Sequence, residues 1–472
     1  MDKILSTIKR FIPKKVFKAL VPFYHFFLGV AANIMYRWPS ERLVVIGVTG
    51  TTGKTTTVYL IAKMLESAGF KVGYTSTAMF SDGNKEWLNN KKMTMIGRFF
   101  THKLLRQMVK NGCQYAVIET SSEGIIQYRH RFINYDVAVM TCLYPEHIES
   151  HGSFENYKEA KGMLFTHLKN GKTKYIDENS VVRHRPTGLQ KTELKRVKKT
   201  SIVNSSDEHA SYFLDFWAEE KFAYRLAEVG VPKPNYAFDV KEIVANPSTR
   251  NSHTKLEFKD GSLSVNLLGD FNRKNILAAM SVGLTQGIEF NKLKEGIEKV
   301  HGVPGRLEQI SMGQPFVVVV DYAFEPNAVN NLYDTVTQFP HQKIIHVLGS
   351  AGGGRDKARR PILGEIAGRR SDIAIITDED PYDEDPLTII TEVMMGAEKT
   401  HKRLNTDLFS VLDRREAIHK ALAFAEEGDI VLITGKGSEQ AICRSLGIKE
   451  KWDDRQVVRE ELEKLGHMGV DK

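Results

Sequence analysis

Two hydrophobic periodicities alternate along most of this chain. Leu43–Val48 is a short apolar run of the kind buried in a sheet, and a glycine-rich turn follows it. After the turn, Val58, Ile61 and Leu65 recur at helical spacing and predict a helix with one apolar face. Tyr115–Ile118 and Asp136–Met140 are further strand-like runs, the first ending in Glu119. The basic stretch Gly171–Thr200 is poorly periodic and reads as an insertion or loop. Residues 254–268 alternate around Asp260-Gly261, which predicts a hairpin. Gly302-Val303-Pro304-Gly305 reads as a hinge. Beyond it a second series begins, with strands expected at Phe316–Val320, Lys343–Leu348, Asp372–Ile376 and Asp429–Ile433 and an amphipathic helix at Asp454–Leu465. Strands separated by helices predict an α/β fold with mostly parallel sheets. The expected division is a central domain over 43–303 and a Rossmann-like C-terminal domain over 304–472, preceded by a helical segment over 1–42.

The turn after the first strand carries chemistry. Gly47-Val-Thr-Gly50-Thr51-Thr52-Gly53-Lys54-Thr55-Thr56 lies between a strand and a helix, the context of a P-loop. Backbone N–H groups of such a loop point at phosphate oxygens, and the helix N-terminus adds a positive end. Lys54 would neutralise the β- and γ-phosphates of ATP, and the Thr55 hydroxyl would hold Mg²⁺. The strict GxxxxGK[ST] spacing is not met, because the glycines fall at 47 and 50. Glu119, at the C-terminal end of a strand beside this loop, is placed to give Mg²⁺ a second oxygen.

Composition agrees with a nucleotide-using enzyme. The chain has 472 residues, enough for about three domains. With 42 % hydrophobic and 26 % charged residues it is globular, not disordered. Its net charge of +8 suits anionic substrates. The basic residues form no aromatic-interleaved stripe in the body, so no nucleic-acid partner is expected. Cys113, Cys142 and Cys443 are too few and too scattered for a disulfide framework, which points to a reducing compartment.

The N-terminus differs from the rest. Residues 1–18 carry Lys3, Lys9, Arg10, Lys14, Lys15 and Lys18 against Asp2, and residues 19–36 hold no formal charge. An eighteen-residue helix spans about 27 Å, just short of the ~30 Å hydrocarbon core, and Pro22, His25, Gly29 and Asn33 suit a simple span poorly. Basic flanks stay cytoplasmic, so a true span would put the P-loop outside, away from ATP. Val30-Ala31-Ala32 has the form of a signal-peptide cleavage site. Three readings stand: a helix pair on the membrane surface, a segment packed on the protein's own body, and a span or signal. The expected location is cytoplasmic, peripheral on the inner face of the membrane, with surface contact through residues 1–36.

Further motifs follow in order: ETSSEGIIQYRHR at 119–131, YPEHIESHGSFENYKEAKGMLF at 144–165, GDFNRKN at 269–275, GVPGRLE at 302–308, VDYAFEPNA at 320–328, GSAGGGRDKARRP at 349–361, TDEDP at 377–381 and GKGSE at 435–439. With the P-loop, this series resembles the Mur ligase family, and within it the enzymes that add the third residue of the peptidoglycan stem. The resemblance runs over residues 43–465. It implies an ADP-forming acid–amino-acid ligase that phosphorylates the carboxylate of a muramoyl-peptide acceptor and joins the acyl phosphate to a small amino acid. Charge gathers on phosphoryl oxygens in such a reaction, so metal ions and positioning carry it.

The resemblance also distributes roles. Gly50, Thr51, Thr52, Gly53, Lys54, Thr55 and Thr56 would cradle ATP, with Asn275 on the adenine side and Arg306 and Asp321 as further nucleotide contacts. Thr55, Glu119, His147 and Lys161 would serve the metals, Lys161 as a carbamate formed with CO₂. Thr94, Ser121, Ser122, Gln127 and Arg129 match positions that hold the acceptor. Asp380, Tyr382, Gly435 and Glu439 fall where the incoming amino acid binds, Glu439 being suited to its α-amine.

The chain departs from the family at several points. Forty-two residues precede the first central strand, where enzymes acting on UDP-muramoyl peptides carry a UDP-holding domain, so that domain is expected to be lacking. Glu123 replaces a His, Cys142 an Asn and Glu146 an Asp. Phe324, Glu325 and Asn327 stand where His, Thr and Asp are expected, and Ser438 replaces the His of G-K-G-H-E. Enzymes that add diaminopimelate show D-N-P-R, whose arginine forks onto the distal carboxylate. Here the run is Glu379-Asp380-Pro381-Tyr382. With no arginine, and with Asp380, Asp383 and Glu384 close by, a cationic amine such as lysine or ornithine is better served.

Two alternatives stand beside this reading, one within the same chemistry and one of a different class. A folylpolyglutamate-synthase-like ligase uses the same chemistry, but its Ser-Pro-His loop is absent and Ser76-Thr77-Ala78-Met79 stands there. A non-catalytic, membrane-associated ATP-binding protein would account for the substituted histidines. The lipid II amidotransferase subunit with a four-cysteine zinc insertion is excluded by three distant cysteines.

Overall fold

A computed structural model describes residues 14–146, 148–177, 182–183, 194–227, 239–250, 253–354 and 357–467. The chain opens with helix α1 (Lys14–Met35), then builds its first sheet. Strand β1 (Val44–Thr49) is buried along its whole length, as its apolar run requires for the centre of a parallel sheet. The P-loop follows, and Lys54–Ser67 forms α2, with Val58, Ile61 and Leu65 buried on one face. Strands β2 (Val72–Thr75), β3 (Met79–Ser81) and β4 (Glu86–Leu88) lead to α3 (Arg98–Lys110), β5 (Tyr115–Glu119), α4 (Ser122–Ile126), β6 (Val137–Met140) and α5 (Phe154–Leu168). The sheet continues through β7 (Thr200–Asn204), β8 (Glu220–Leu226), β9 (Lys241–Arg250), β10 (His253–Phe258) and β11 (Gly261–Val265), and α6 (Asp270–Thr285) and α7 (Phe290–Glu298) close this half.

Its eleven strands run in the order β11-β10-β9-β8-β7-β6-β1-β5-β2-β3-β4. From β9 to β2 all neighbours are parallel. The expected hairpin is β10–β11, with Phe258 paired to Gly261 across the Asp260-Gly261 turn. The P-loop therefore emerges at the C-terminal edge of a central strand, flanked by the ends of β5 and β6. That is the edge where open parallel sheets bind ligands.

The second half carries β12 (Glu308–Ile310), β13 (Val317–Val320), α8 (Pro326–Val336), β14 (Ile344–Leu348), α9 (Arg359–Arg370), β15 (Ile373–Thr377), α10 (Pro386–Glu398), β16 (Leu408–Val411), α11 (Arg414–Phe424), β17 (Ile430–Ile433) and α12 (Asp454–Lys464). Its sheet order is β12-β13-β17-β14-β15-β16, parallel except for β12. The strands expected from the apolar runs all form here.

The expectation of a loop over Gly171–Thr200 needs correction. Lys174–Ile176, Val182–Arg183 and Lys195–Val197 pair into a small antiparallel sheet. The stretch is also anchored to β6. Lys174 Nζ and Lys199 Nζ donate to the buried Asp136 carboxylate at 2.5 and 2.8 Å. Strands two or three residues long and a buried charge cluster leave no hydrophobic period, so pattern reading passes over them.

Helix α1 packs against α3, with Ala32 and Asn33 buried. Among the described residues no helix is long and apolar enough to cross a membrane.

Candidate active site

The P-loop turns into α2 at Gly53, whose φ of +79° lies in the left-handed region that glycine adopts without strain. A Cβ there would collide with the Asn275 amide. Thr57 Oγ1 donates to Asn275 Oδ1 at 3.4 Å, and Asn275 Nδ2 to Asn272 Oδ1 at 3.0 Å, so α6 is held against the first turn of α2. Lys54 Nζ folds back on the loop and donates to the Thr51 carbonyl at 2.7 Å. Burial holds its pKa below the ordinary lysine value; Glu119 opposes that shift and Arg306 adds to it.

Glu119 ends β5 beside this helix and is buried. Thr55 Oγ1 donates to Glu119 Oε2 at 3.0 Å. Thr77 donates to the same carboxylate, through its backbone N–H to Oε2 at 2.7 Å and its hydroxyl to Oε1 at 2.9 Å. The Thr55 and Glu119 oxygens are a hard donor pair at the phosphate end of the loop. They fit Mg²⁺, which takes few protein ligands and keeps phosphate and water for the rest. His147 lies outside the described residues. Among those that are described, no three His, Cys, Asp or Glu side chains gather as a metal cage.

Lys161 projects from α5 beneath the loop. It is buried, and its Nζ donates to the Gly50 carbonyl at 2.7 Å and sits 4.4 Å from the Tyr157 ring centroid. Burial, and then the charge of Lys54, holds its pKa well below the ordinary value. Its amine therefore tends to the neutral, nucleophilic form.

The second half reaches this site through the hinge. Arg306 Nη2 donates to Thr55 Oγ1 at 3.3 Å, and its guanidinium lies 4.3 Å over the Tyr322 ring. Asp321, ending β13, accepts from Leu307 N at 2.6 Å and Ala323 N at 2.7 Å. Gly305, at φ +65°, packs so closely on Gly437 and Ser438 that no side chain fits. Tyr144 donates its hydroxyl proton to Glu325 Oε1 at 3.0 Å across the two halves. Glu325, in the family's threonine position, also caps α8 through Asn327 N and Ala328 N. Phe324, in the histidine position, sits 5.3 Å from the Arg359 guanidinium, an aromatic contact in place of a polar one.

These groups border one cavity of about 720 Å³ between the two sheets. Thr51 to Thr56, Asn275, Arg306 and Asp321 line it, as do Glu119 and Lys161. Gly50 is set back and presents its carbonyl to Lys161. On the acceptor side Thr94, Ser121, Ser122 and Arg129 line the cavity. Gln127 does not. Its Oε1 accepts from Arg129 Nη2 at 2.6 Å, so it orients the arginine from behind.

Asp380, Tyr382, Gly435 and Glu439 also line the cavity, but the electrostatic expectation for this end is corrected. Asp380 is not a free acid. Lys92, from the first half, donates to its two oxygens at 2.8 and 2.6 Å, and Lys436 Nζ to Oδ1 at 2.8 Å. Burial opposes ionisation of Asp380, yet Lys436 and Lys92 outweigh it and hold its carboxyl below the usual range. Glu384 is paired with Lys357 and Arg360, and Asp383 accepts from Leu446 N. The acid left over is Glu379. Its Oε2 is buried without a hydrogen-bond partner among the described residues, and it borders the cavity. Burial, then the neighbouring Asp380, pushes its pKa up to about 7.

Residues 48–283 match the Mur ligase middle domain and residues 305–437 the Mur ligase glutamate ligase domain. The UDP-N-acetylmuramyl-tripeptide synthetase of Roseiflexus sp. (strain RS-1) is 36 % identical over 450 residues, covering 94 % of this chain and 83 % of that protein. The chain belongs to the Mur ligase family. A solved UDP-N-acetylmuramoyl-L-alanyl-D-glutamate–2,6-diaminopimelate ligase superposes with a TM-score of 0.55 at 27 % identity, over 90 % of this chain and 80 % of that one. A folylpolyglutamate synthase of Mycobacterium tuberculosis superposes at 0.62 but with 15 % identity, over 87 % and 92 %, a likeness of fold alone. This Mur ligase is an ATP-dependent enzyme of peptidoglycan-precursor synthesis that forms an amide bond.

Sequence reading passed over Lys92, Lys436 and Thr77 in this Mur ligase. Lys436 stands inside the quoted GKGSE run without a role. Lys92 carries no local signal, because its partners lie some 290 positions away. Lys92 also donates to the Ala441 carbonyl at 2.7 Å and lies 3.0 Å from Glu439 Oε2, so it ties the halves together at the amino-acid end. Lys92→Met is expected to raise KM for the amino acid roughly 30-fold, the low end for truncating one partner of a buried charge pair. Steady-state kinetics with the amino acid varied would check this; an unchanged KM would show that closure does not depend on the contact.

Proposed function

We propose that this Mur ligase phosphorylates the carboxylate of a muramoyl-peptide acceptor and joins it to a cationic amino acid such as lysine or ornithine. The observation that carries the reading is the shared cavity. In it, half-buried Lys54 meets Arg306 of the second half, a concentration of positive charge suited to a triphosphate. Thr55 and Glu119 would hold Mg²⁺, which supplies charge neutralisation at the phosphates; His147 is proposed for the second metal.

P-loop N–H groups and Lys54 fix the β- and γ-phosphates, with Arg306 and Asp321 contacting the nucleotide from the closing half and Asn275 from the adenine side. Arg129, oriented by Gln127, and Ser121, Ser122 and Thr94 hold the acceptor so that one carboxylate oxygen attacks the γ-phosphorus and ADP leaves. The amino acid's nitrogen then attacks the acyl carbon, phosphate departs, and one amine proton goes with it. Closure of the halves keeps water from the acyl phosphate. Lys161 is proposed to react as the neutral amine with CO₂, releasing one proton and leaving a carbamate oxygen donor.

Glu379 is proposed to receive the amino acid's positive charge, with Glu439 and Gly435 at the α-amino end and Tyr382 where an arginine would hold a distal carboxylate. Above pH 7 Glu379 is ionised and attracts an ammonium group; below it the carboxyl is protonated and does not. The kcat/KM for the amino acid is therefore expected to rise through about pH 7, and Glu379→Gln to flatten the profile. The same shift has a stability sign. The folded state binds more protons than the unfolded chain between 4.5 and about 7, so this group's contribution to stability declines as pH rises through that window. At pH 8 Glu379→Gln is expected to be the more stable protein, by on the order of 3 kcal/mol.

Residues 1–36 are proposed to touch the membrane on its cytoplasmic face, on the strength of their basic and apolar composition. The experiment for the reaction is a panel of amino acids offered with ATP and either a UDP-linked or a lipid-linked muramoyl dipeptide. ADP formation that depends on one amino acid and one acceptor is expected; ATP binding without such dependence would refute the reading.

A further inference from the structure

Helix α1 presents its apolar side outward. Phe23, Phe27 and Met35 are 64, 66 and 63 % exposed, and Tyr24, Ile34 and Trp38 are exposed beside them. Phe23, Tyr24, Phe27, Ile34 and Met35, at spacings of three, four, seven and eight residues, form one stripe along the helix, and Trp38 follows just past its end. Its other face is already used. Phe26 meets Phe132 with ring centroids 5.3 Å apart, Gly29 lies against the same ring, and Ala32 and Asn33 are buried. A soluble surface rarely leaves a run of large apolar groups uncovered.

A basic ridge lies next to the stripe. Lys103, Arg106 and Lys110 recur every three or four residues on α3 and, with Arg37, border a shallow groove that Met35 and Tyr36 complete. None of these four cations forms an ion pair with a carboxylate among the described residues. Lys14, Lys15 and Lys18 begin the same helix, and three more cations precede them in the sequence. An oily stripe beside unpaired cations complements a surface that is apolar within and anionic at its edge. In-plane amphipathic helices meet bilayers in this way. The helix does not qualify as a span.

The surface adjoins the acceptor side of the cavity. The Arg131 guanidinium lies 5.0 Å over the ring of Phe26, on the inner side of α1, and Arg129, two residues before it, lines the cavity.

We infer that the outer face of α1 and the basic ridge of α3 form one docking surface for an anionic bilayer, laying the acceptor end of the active site beside the membrane. This rests on the membrane-contact reading of residues 1–36 and supplies its surface; the docking surface itself does not rest on the ligase assignment, and only the naming of the adjoining end as the acceptor end does.

The test is co-sedimentation of the full chain with phosphatidylcholine vesicles, with and without phosphatidylglycerol. Pelleting with the anionic vesicles is expected. Reversing the ridge in a Lys103→Glu, Arg106→Glu, Lys110→Glu variant is expected to weaken it roughly 100-fold. A Phe23→Glu, Phe27→Glu, Ile34→Glu variant is expected to stay in the supernatant while keeping the wild-type melting temperature, since all three side chains are exposed. Wild-type protein that stays in the supernatant, or either variant pelleting like wild type, overturns the inference. So does a wild-type dimer in light scattering that the Phe23, Phe27 and Ile34 changes dissolve, which would assign the stripe to a second copy. Amino-acid-dependent ADP release on a soluble acceptor, measured in parallel, separates the two readings. Its loss alone refutes the ligase reading, and loss of pelleting alone refutes the docking surface.

Discussion

Lys161→Ala is expected to lower kcat roughly 10²–10³-fold, and short-chain carboxylic acids are expected to restore part of the loss. The magnitude is that of removing one preorganised group from a water-excluded site. The direction follows from where Lys161 sits. It is buried beneath the P-loop, bonded to the Gly50 carbonyl and crowded by Lys54, so its amine is held well below its ordinary pKa. Such an amine can capture CO₂, and the product would be a carboxylate-like donor in the cavity that the Thr55–Glu119 pair also lines. In the alanine variant a small carboxylic acid would occupy the vacated space and offer the same oxygens. Assays in CO₂-depleted and bicarbonate-supplemented buffer supply a second readout, with wild-type activity expected to fall on depletion. Full activity at alanine 161, or no rescue by any short acid, would remove the carbamate and leave Lys161 a structural support of the loop.

The second large effect is expected at Lys54. Lys54→Met should cut kcat by roughly 10³-fold or more, as expected when the cation facing a transferring phosphoryl group is lost. Lys54 is half-buried, and its one hydrogen bond among the described residues runs to a backbone carbonyl. Glu119 offsets part of its charge, and the remainder is free to meet an anion. Rapid-quench measurement of ADP formation would place the loss on the chemical step. Lys54 and Lys161 also repel each other, so their effects should not add. Removing Lys54 lets Lys161 hold its proton, which disfavours reaction with CO₂. The Lys54→Met, Lys161→Ala double variant is expected to be little worse than Lys54→Met alone. Additive losses would mean that the two lysines act independently.

Local sequence was sufficient wherever a feature depended on neighbours in the chain. The P-loop, the helix after it, the Asp260-Gly261 hairpin and the four parallel strands of the second half follow from runs and turns a few residues long. Glu119 was legible for the same reason, since a charged residue at the end of an apolar strand beside a P-loop has few other places to point. The amino-acid end of the site was misread in part. Asp380, Asp383 and Glu384 look like an acidic field when only their spacing is seen. Lys92 and Lys436 neutralise Asp380 from distant segments, and Lys357 and Arg360 pair with Glu384. Gln127 likewise matches a substrate position, yet it reaches the cavity only through Arg129.

The amino-acid sequence by itself determined the fold class, the phosphate-binding loop and the kind of reaction, because backbone preference, hydrophobic period and short motifs are local properties. The tertiary structure decided which charges stay unpaired. Pairing is a matter of distance between segments far apart in the chain, and a buried carboxylate stays ionised beside an ammonium group but has its pKa pushed up without one. For that reason Glu379, whose Oε2 has no hydrogen-bond partner among the described residues, emerged as the acid facing the cavity only when Lys92 and Lys436 were seen to close on Asp380. The outward stripe of α1 emerged in the same way, once its other face was seen to be filled by Phe132.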